Sequence, residues 1–214
     1  MSIKTWSNVQ VAIQSALGTA LTVSAISKAS PGVVTYTGTD PSNGDYHLLE
    51  VQGMTQINNR VVRVANVNGG SNTYEAEGIN TTSYDTFSSG SSTPITFGTT
   101  LSVVRNMTSS GGDFDMIDKT TIHDLARSQI PGAANAIVFN MECFWDPSDA
   151  GLAALAAASD IKAKRAVRIT FADGSKYLFN GYVACAMAPQ GSAQDLVTTP
   201  VTITVDGRGT FYSS

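Results

Sequence analysis

The segment IDKTTIHDLARSQIPG, residues 117–132, holds the side chains of this chain that are best suited to chemistry. His123 is followed directly by Asp124, and a serine, Ser109 or Ser128, lies in the longer segment 106–132 that includes this one. A histidine oriented by an aspartate can activate a serine as a nucleophile, but only within a rigid pocket. Adjacent strand residues point to opposite faces, and a flexible loop does not preorganise three groups. We therefore expect these side chains to form hydrogen bonds and not a catalytic site.

Metal-binding and cofactor-binding motifs are incomplete or absent in the sequence. The run DFDMID, residues 113–118, offers three carboxylates but lacks the spacing and the closing Glu of an EF-hand, so we expect a solvated acidic turn. The two cysteines, Cys143 and Cys185, are far apart in apolar contexts, which favours buried free thiols and leaves a disulfide as the alternative. No P-loop, G-x-S-x-G, H-E-x-x-H or dinucleotide motif occurs, so neither a cofactor nor an enzyme is expected.

The composition favours self-association. Only 14% of the residues are charged, where soluble domains average about 25%. The surface must therefore be covered by Ser, Thr, Asn and Gly or buried against neighbours. A net charge of -4 argues against binding to the DNA backbone, which requires clustered Lys and Arg. We expect no signal peptide and no membrane span, because no sufficiently long apolar window occurs.

The first half of the chain is predicted to be β-structure. Residues 8–16 alternate polar and apolar side chains through Val9, Val11 and Ile13, which predicts a strand. From there to residue 105, short apolar runs separated by Gly, Pro and Asn turns predict a compact β-barrel or sandwich. Residues 106–132 lose the alternation and predict a long loop, and irregular segments of that length are usually functional or disordered.

After residue 132 the periodic signals return. Residues 135–145 predict a strand, and a helix is predicted to follow with Asp146 as N-cap and Pro147 at the first helical position. Leu152 and Leu155 should face inward.

Two further strands are predicted to form a hairpin closed by Asp173–Gly174, and a last strand contains Pro200 at a bulge or sheet edge. The fold class is therefore mainly β with one flanking α-helix.

The order of these motifs resembles a known family. The loop carries ID-x-TT-x-HD and R-x-x-IPG, and then come ITF-x-DG-x-x-Y-x-F-x-GYV and VTITVDGRGTF. This pattern resembles the major tail tube proteins of long-tailed, siphovirus-like bacteriophages over residues 1–18 and about 106–214. Residues 19–105, with NGDYHLLEVQGMTQINNR and TTSYDTFSSG, resemble a small β module named after a half-domain of ubiquitin-activating enzymes. That stretch holds no catalytic cysteine and no nucleotide site. The resemblance implies that the module is an inserted decoration domain.

The resemblance implies a tail-tube β-sandwich or barrel whose copies form hexameric rings stacked into a tube in the virion, assembled in the host cytoplasm. DNA would pass through the lumen without specific binding, and the other partners would be the tape measure, tail tip and tail terminator proteins. The loop 106–132 would hold neighbouring subunits together. The residues to which this assembly role is assigned are Asp113, Asp118, Thr120, His123, Asp124 and Arg127.

Two alternatives remain. One is a tail-tip, receptor- or glycan-binding β protein, which would need an exposed aromatic platform, with Tyr74, Tyr84 and Phe87 as the candidates in the middle of the chain. The other is a hydrolase that uses His123 and Asp124.

Overall fold

The structure, a computed structural model, describes residues 4–213. Residues 1–3 and 214, which the sequence analysis assigned to the tube core, lie outside the described residues. Strands hold 49% of the described residues and helices 7%, which confirms a mainly β fold with one α-helix. The strands form an eight-stranded sheet, a seven-stranded sheet and a separate two-stranded hairpin.

The secondary-structure elements in chain order are β1 (Gln10–Ile13), β2 (Ala16–Leu17), β3 (Leu21–Ile26), β4 (Gly32–Thr37), β5 (Tyr46–Gln52), a 3-10 helix (Thr55–Ile57), β6 (Arg60–Asn68), β7 (Thr73–Ala76), β8 (Ser89–Thr96), β9 (Thr99–Leu101), β10 (Val104–Ser110), β11 (Phe114–Asp118), β12 (Gln129–Ala134), β13 (Val138–Phe144), α1 (Ala150–Asp160), β14 (Lys164–Thr170), β15 (Lys176–Ala184), β16 (Thr198–Val205) and β17 (Thr210–Tyr212).

The eight-stranded sheet runs in the order β10-β13-β16-β15-β14-β1-β9, with β17 added beside β15. All its pairings are antiparallel, and β1 confirms the strand predicted near the N-terminus, with Val11 opposite Ile169 on one side and Leu101 on the other. Phe139 of β13 stacks on Phe179 of β15 across β16, with ring centroids 4.4 Å apart. The same core cluster contains Leu101 of the edge strand β9 and Met107 of β10 at the opposite edge, so the sheet curls around it. Sheet residues far apart in the strand order thus share one apolar interior.

The helix α1 closes this core from one side. Leu152 and Leu155 are fully buried, as predicted. The predicted N-cap was wrong: Asp149, not Asp146, caps the helix, since its Oδ1 accepts a hydrogen bond of 2.8 Å from the Leu152 N–H. Asp146 instead accepts from the Ser148 N–H in the turn before it. The helix therefore begins three residues later than Pro147 suggested.

Two further predictions for the C-terminal half concern the hairpin and Pro200. The hairpin β14–β15 is confirmed, and Gly174 in its turn has a φ of +83°. Pro200 lies opposite Glu142 of β13. On its other side β16 has no partner strand at this position, because β15 pairs with β16 only from Thr202 onward. The missing N–H of the proline therefore costs no hydrogen bond to β15.

The two thiols were predicted to be buried and free, and both are.

Strands β3 to β8 form a closed barrel of six strands, because β8 pairs with both β3 and β5. Its interior is apolar, with Tyr36, Leu49, Val62 and Tyr74 buried. The chain enters and leaves the barrel at one point, where the Gly98 N–H donates to Ser15 Oγ over 3.1 Å. The strand β9, which the sequence analysis placed with residues 19–105, pairs with β1 of the larger sheet.

The barrel is attached to the larger sheet through the C-terminal strand. Tyr212 is buried, its hydroxyl accepts a hydrogen bond of 2.7 Å from the Arg63 N–H, and the Arg63 guanidinium lies 4.6 Å from the ring centroid. Arg60 Nε donates to Thr210 Oγ1 over 2.8 Å. Burial raises the pKa of Tyr212 to about 12. The buried residues of this junction are Leu48, Val61, Ile95, Ala166, Leu178 and Tyr212.

Candidate assembly site

Residues 113–135 form an arm that projects from the eight-stranded sheet. The prediction of an irregular loop over residues 106–132 was wrong for much of its length, because β10 continues to Ser110 and β11 pairs with β12. Gly111 and Gly112, with φ of +88° and +84°, turn the chain from β10 into the arm. Every side chain of β11 is exposed. Because the strand has no buried face, its sequence lacks the alternation of polar and apolar residues by which a strand is recognised.

The arm is held by few contacts of its own. Its two strands pair only with each other in the described chain, with Ile117 opposite Ile130. At the base, the Asn135 N–H donates to the Asp113 carbonyl over 2.8 Å. An isolated two-stranded hairpin is marginally stable in water, so the arm is a segment that another surface would stabilise.

The polar residues of the arm tip, residues 119–128, hold the turn together. Asp118 Oδ1 accepts from the Thr120 N–H over 2.8 Å, and Asp124 Oδ2 accepts from the Thr121 N–H over 2.7 Å. Thr120 Oγ1 accepts from the Ser128 N–H over 3.0 Å. The hydroxyl and the N–H of Thr120 together keep the pKa of Asp118 below its ordinary value. These hydrogen bonds fix the conformation of the tip, and the sequence analysis did not predict them.

The arm does not assemble a catalytic triad. Asp124 is engaged with Thr121, and within residues 4–213 no hydrogen bond joins the imidazole of His123 to Asp124 or Ser128. His123 and Arg127 are exposed and point to no partner in the described chain. Asp113 is exposed at the base of the arm.

The arm also carries apolar side chains that the sequence analysis did not single out. Ile122 is 96% exposed and Leu125 107%, so neither contacts the rest of its own chain to any extent. Four more apolar residues of the arm, Phe114, Met116, Ile117 and Ile130, are about half exposed. Several exposed apolar residues on one element mark an interaction surface. The feature of the sequence that could have identified this surface is the pair of aliphatic residues, Ile122 and Leu125, within a mostly polar tip.

The edge of the larger sheet beside the arm is open as well. In the described residues β10 has a partner strand on one side only, β13. Its outer backbone groups are therefore available to a further strand.

A second group of residues whose side chains could take part in catalysis lies inside the barrel. His47 Nδ1 lies 2.8 Å from Ser92 Oγ, which lies 2.6 Å from the Tyr74 hydroxyl. All three are completely buried, so no substrate reaches them. Burial lowers the pKa of His47 to about 4, which keeps its imidazole neutral.

The aromatic platform required by a glycan-binding protein is not formed by the residues proposed for it. Tyr74 is in the barrel interior, and Tyr84 and Phe87 pack against the same apolar cluster. Among the described residues, no three His, Cys, Asp or Glu side chains converge to hold a metal, and no helix is long and apolar enough to span a membrane.

A comparison with protein-family models gives a match that covers most of the chain. A family model described as phage tail tube protein, TTP, matches residues 52–214, which is well over half of the chain. The matched segment contains the arm, β10 and the whole C-terminal half. A search of curated proteins finds no match.

Proposed function

The chain belongs to the phage tail tube protein family, and we propose on this basis that its copies form stacked hexameric rings around a central lumen. As a tail tube protein it is a structural component of the virion tail. The proposed tube is the conduit through which the genome is ejected.

The observation that carries this proposal is the exposed arm. A hairpin with no buried face and two fully exposed aliphatic residues, Ile122 and Leu125, must gain its stability from a surface outside its own chain. In a tube made of one protein, that surface belongs to another copy.

The six polar residues assigned to assembly divide into two groups within this proposal. Asp118, Thr120 and Asp124 shape the tip through the hydrogen bonds described above, so they present the apolar side chains in one orientation. His123 and Arg127 are exposed and would pair with carboxylates or carbonyls across the contact. Asp113 would act at the arm base in the same way.

The open edge of β10 would complete the ring. Pairing of this edge with a strand of the next subunit would join six sheets into one continuous barrel around the lumen. Closure in this way also removes the edge as a site of uncontrolled aggregation.

The charge of the chain suits a DNA conduit. Six copies with a net charge of -4 carry roughly -24 per ring, so the tube would repel the DNA that passes through it and not bind it. The tape measure protein would occupy the lumen before ejection, and the tail tip and terminator proteins would cap the two ends. The six-strand barrel would decorate the outside as a module of the ubiquitin-activating half-domain type, in a tube of the siphovirus type assembled in the host cytoplasm.

The proposal is tested by concentrating the purified chain and examining it by negative-stain electron microscopy, with sedimentation velocity on the same samples. We expect hollow tubes or stacked rings with six-fold symmetry in end view. A chain that stays monomeric at high concentration, and also after addition of a tail-tip initiator complex, would contradict the proposal.

A further inference from the structure

An apolar pocket lies at the foot of the arm. It has a volume of about 330 Å³ and is bordered by Ser109, Ser110 and Gly111, where the chain leaves the sheet. A cavity of about 150 Å³ holds a benzene molecule, so this one has room for one or two aliphatic side chains. We call it the base pocket, and its apolar walls are Trp6, Ile137, Phe139, Ile169, Phe171 and Tyr177.

The arm cannot fill the base pocket of its own chain. The strand β11 spans five residues, Phe114–Asp118, which is about 16 Å at about 3.3 Å per residue, and Ile122 lies a further four residues beyond its end. The pairing of β11 with β12 keeps this length extended. The pocket and the exposed aliphatic residues are therefore at opposite ends of one element.

We infer that the arm tip of one copy inserts Ile122 and Leu125 into the base pocket of the next copy. This inference rests on the proposed function, since the family forms tubes from copies of one chain. Tip and pocket are different surfaces of the molecule, so the contact is heterologous and repeats from copy to copy until a ring closes or a helix grows. A second copy is the occupant because it supplies aliphatic side chains that match the apolar walls.

A neighbouring groove provides the alternative docking place. It has a volume of about 530 Å³ and lies on the other side of Ile137, with Asp206 and Arg208 among its lining residues. An aliphatic side chain placed there would desolvate the Asp206–Lys164 ion pair and the Arg208 guanidinium without offering either a new partner, which is unfavourable. The base pocket has no charged residue in its lining, so it is the better receptor for the tip.

Cysteine cross-linking in assembled tubes distinguishes the two places. Ala126→Cys places a thiol beside Leu125 and leaves both aliphatic residues in place. Ser109→Cys places a second thiol at the rim of the base pocket. Ser109 is two residues from Met107 in β10, so both side chains lie on the same face of the strand. The matched control combines Ala126→Cys with Arg208→Cys in the groove. The native thiols are buried with raised pKa values, so they do not compete for a short bis-maleimide at neutral pH.

We expect a ladder of covalent multimers on a denaturing gel from the pocket pair and none from the groove pair. A ladder from the groove pair alone, or no ladder from either pair in tubes seen by microscopy, would overturn the inference. If the unmodified chain forms no tubes at all, the proposed function fails first and the inference with it.

A second variant tests the pocket without a cross-linker. Ser109→Leu fills the base pocket with a side chain of its own subunit, and the exposed position of Ser109 leaves the fold intact. We expect an unchanged melting temperature and a rise of roughly tenfold or more in the concentration needed for tubes, because the burial of the tip is lost. An unchanged assembly threshold in this folded variant would contradict the inference.

Discussion

Removal of the two exposed aliphatic residues of the arm tip should separate assembly from folding. Each of Ile122 and Leu125 contributes about 1.5–3 kcal/mol when it passes from water to a buried site. Since both are fully exposed in the single chain, this contribution is absent from the monomer and present only in the assembly. The double variant Ile122→Ser, Leu125→Ser should therefore lose about 3–6 kcal/mol per contact.

This loss corresponds to a rise of roughly 10²- to 10⁴-fold in the concentration at which tubes form. The threshold is measured by sedimentation of a dilution series, and the melting temperature of the monomer should stay unchanged, as expected for surface substitutions. The matched control is Ile161→Ser, which alters a 71% exposed aliphatic residue just after α1. Tubes at the wild-type threshold, or an equal effect of the control, would refute the role of the arm.

Three further predictions concern the fold. Tyr212→Phe should lower the free energy of unfolding in urea by about 1 kcal/mol, through the lost hydrogen bond from Arg63, and Tyr212→Ala by about 3–5 kcal/mol. The pKa of His47 is lowered from 6.5 to about 4, so at intermediate pH the unfolded chain binds a proton that the folded chain does not. Stability is fully present above pH 6.5 and should fall by about 3 kcal/mol towards pH 4, a slope that urea titrations should find reduced in His47→Gln. Burial raises the pKa of Cys143 to about 12, so a thiol reagent at pH 8 should react with it only after unfolding.

The parts of the fold that could be predicted are those in which one face is buried. Strands β14 and β15 and the inward residues of α1 follow a periodicity that the core imposes, and the sequence displays it. The arm strands have no buried face, so the same reasoning took them for a loop. The sequence therefore directed the prediction of an assembly site to residues 106–132 but did not predict the hairpin, and its polar motif gave no reason to single out Ile122 and Leu125.

Other features depend on contacts between distant parts of the chain. Asp146 and Asp149 both precede α1 and both can cap a helix, so local sequence does not choose between them. Ser102, which donates a side-chain hydrogen bond to Asp149, helps fix that residue at the helix start. The contact of Tyr212 with Arg63 joins residues far apart in sequence, and no local sequence pattern predicts it.

The role of the barrel as a decoration can be tested by removing it. Ser15 and Gly98 are in contact, and β1 and β9 are antiparallel partners with Ile13 opposite Thr99. Replacing residues 15–97 by Asn-Gly leaves a two-residue turn between Gln14 and Gly98, and would therefore join these strands in a hairpin without moving either of them. The excision uncovers Ala166, Leu178 and Tyr212, and Leu178→Thr is added to reduce the exposed apolar surface.

We expect this shortened chain to fold and to form tubes of smaller outer diameter, because the arm, β10 and the base pocket all lie outside the excised segment. Circular dichroism and thermal melting establish that the shortened chain is folded, and electron microscopy measures the tubes. A folded chain that no longer assembles would show that the barrel takes part in the contacts between subunits, and the division into a tube core and an outer module would then be incorrect.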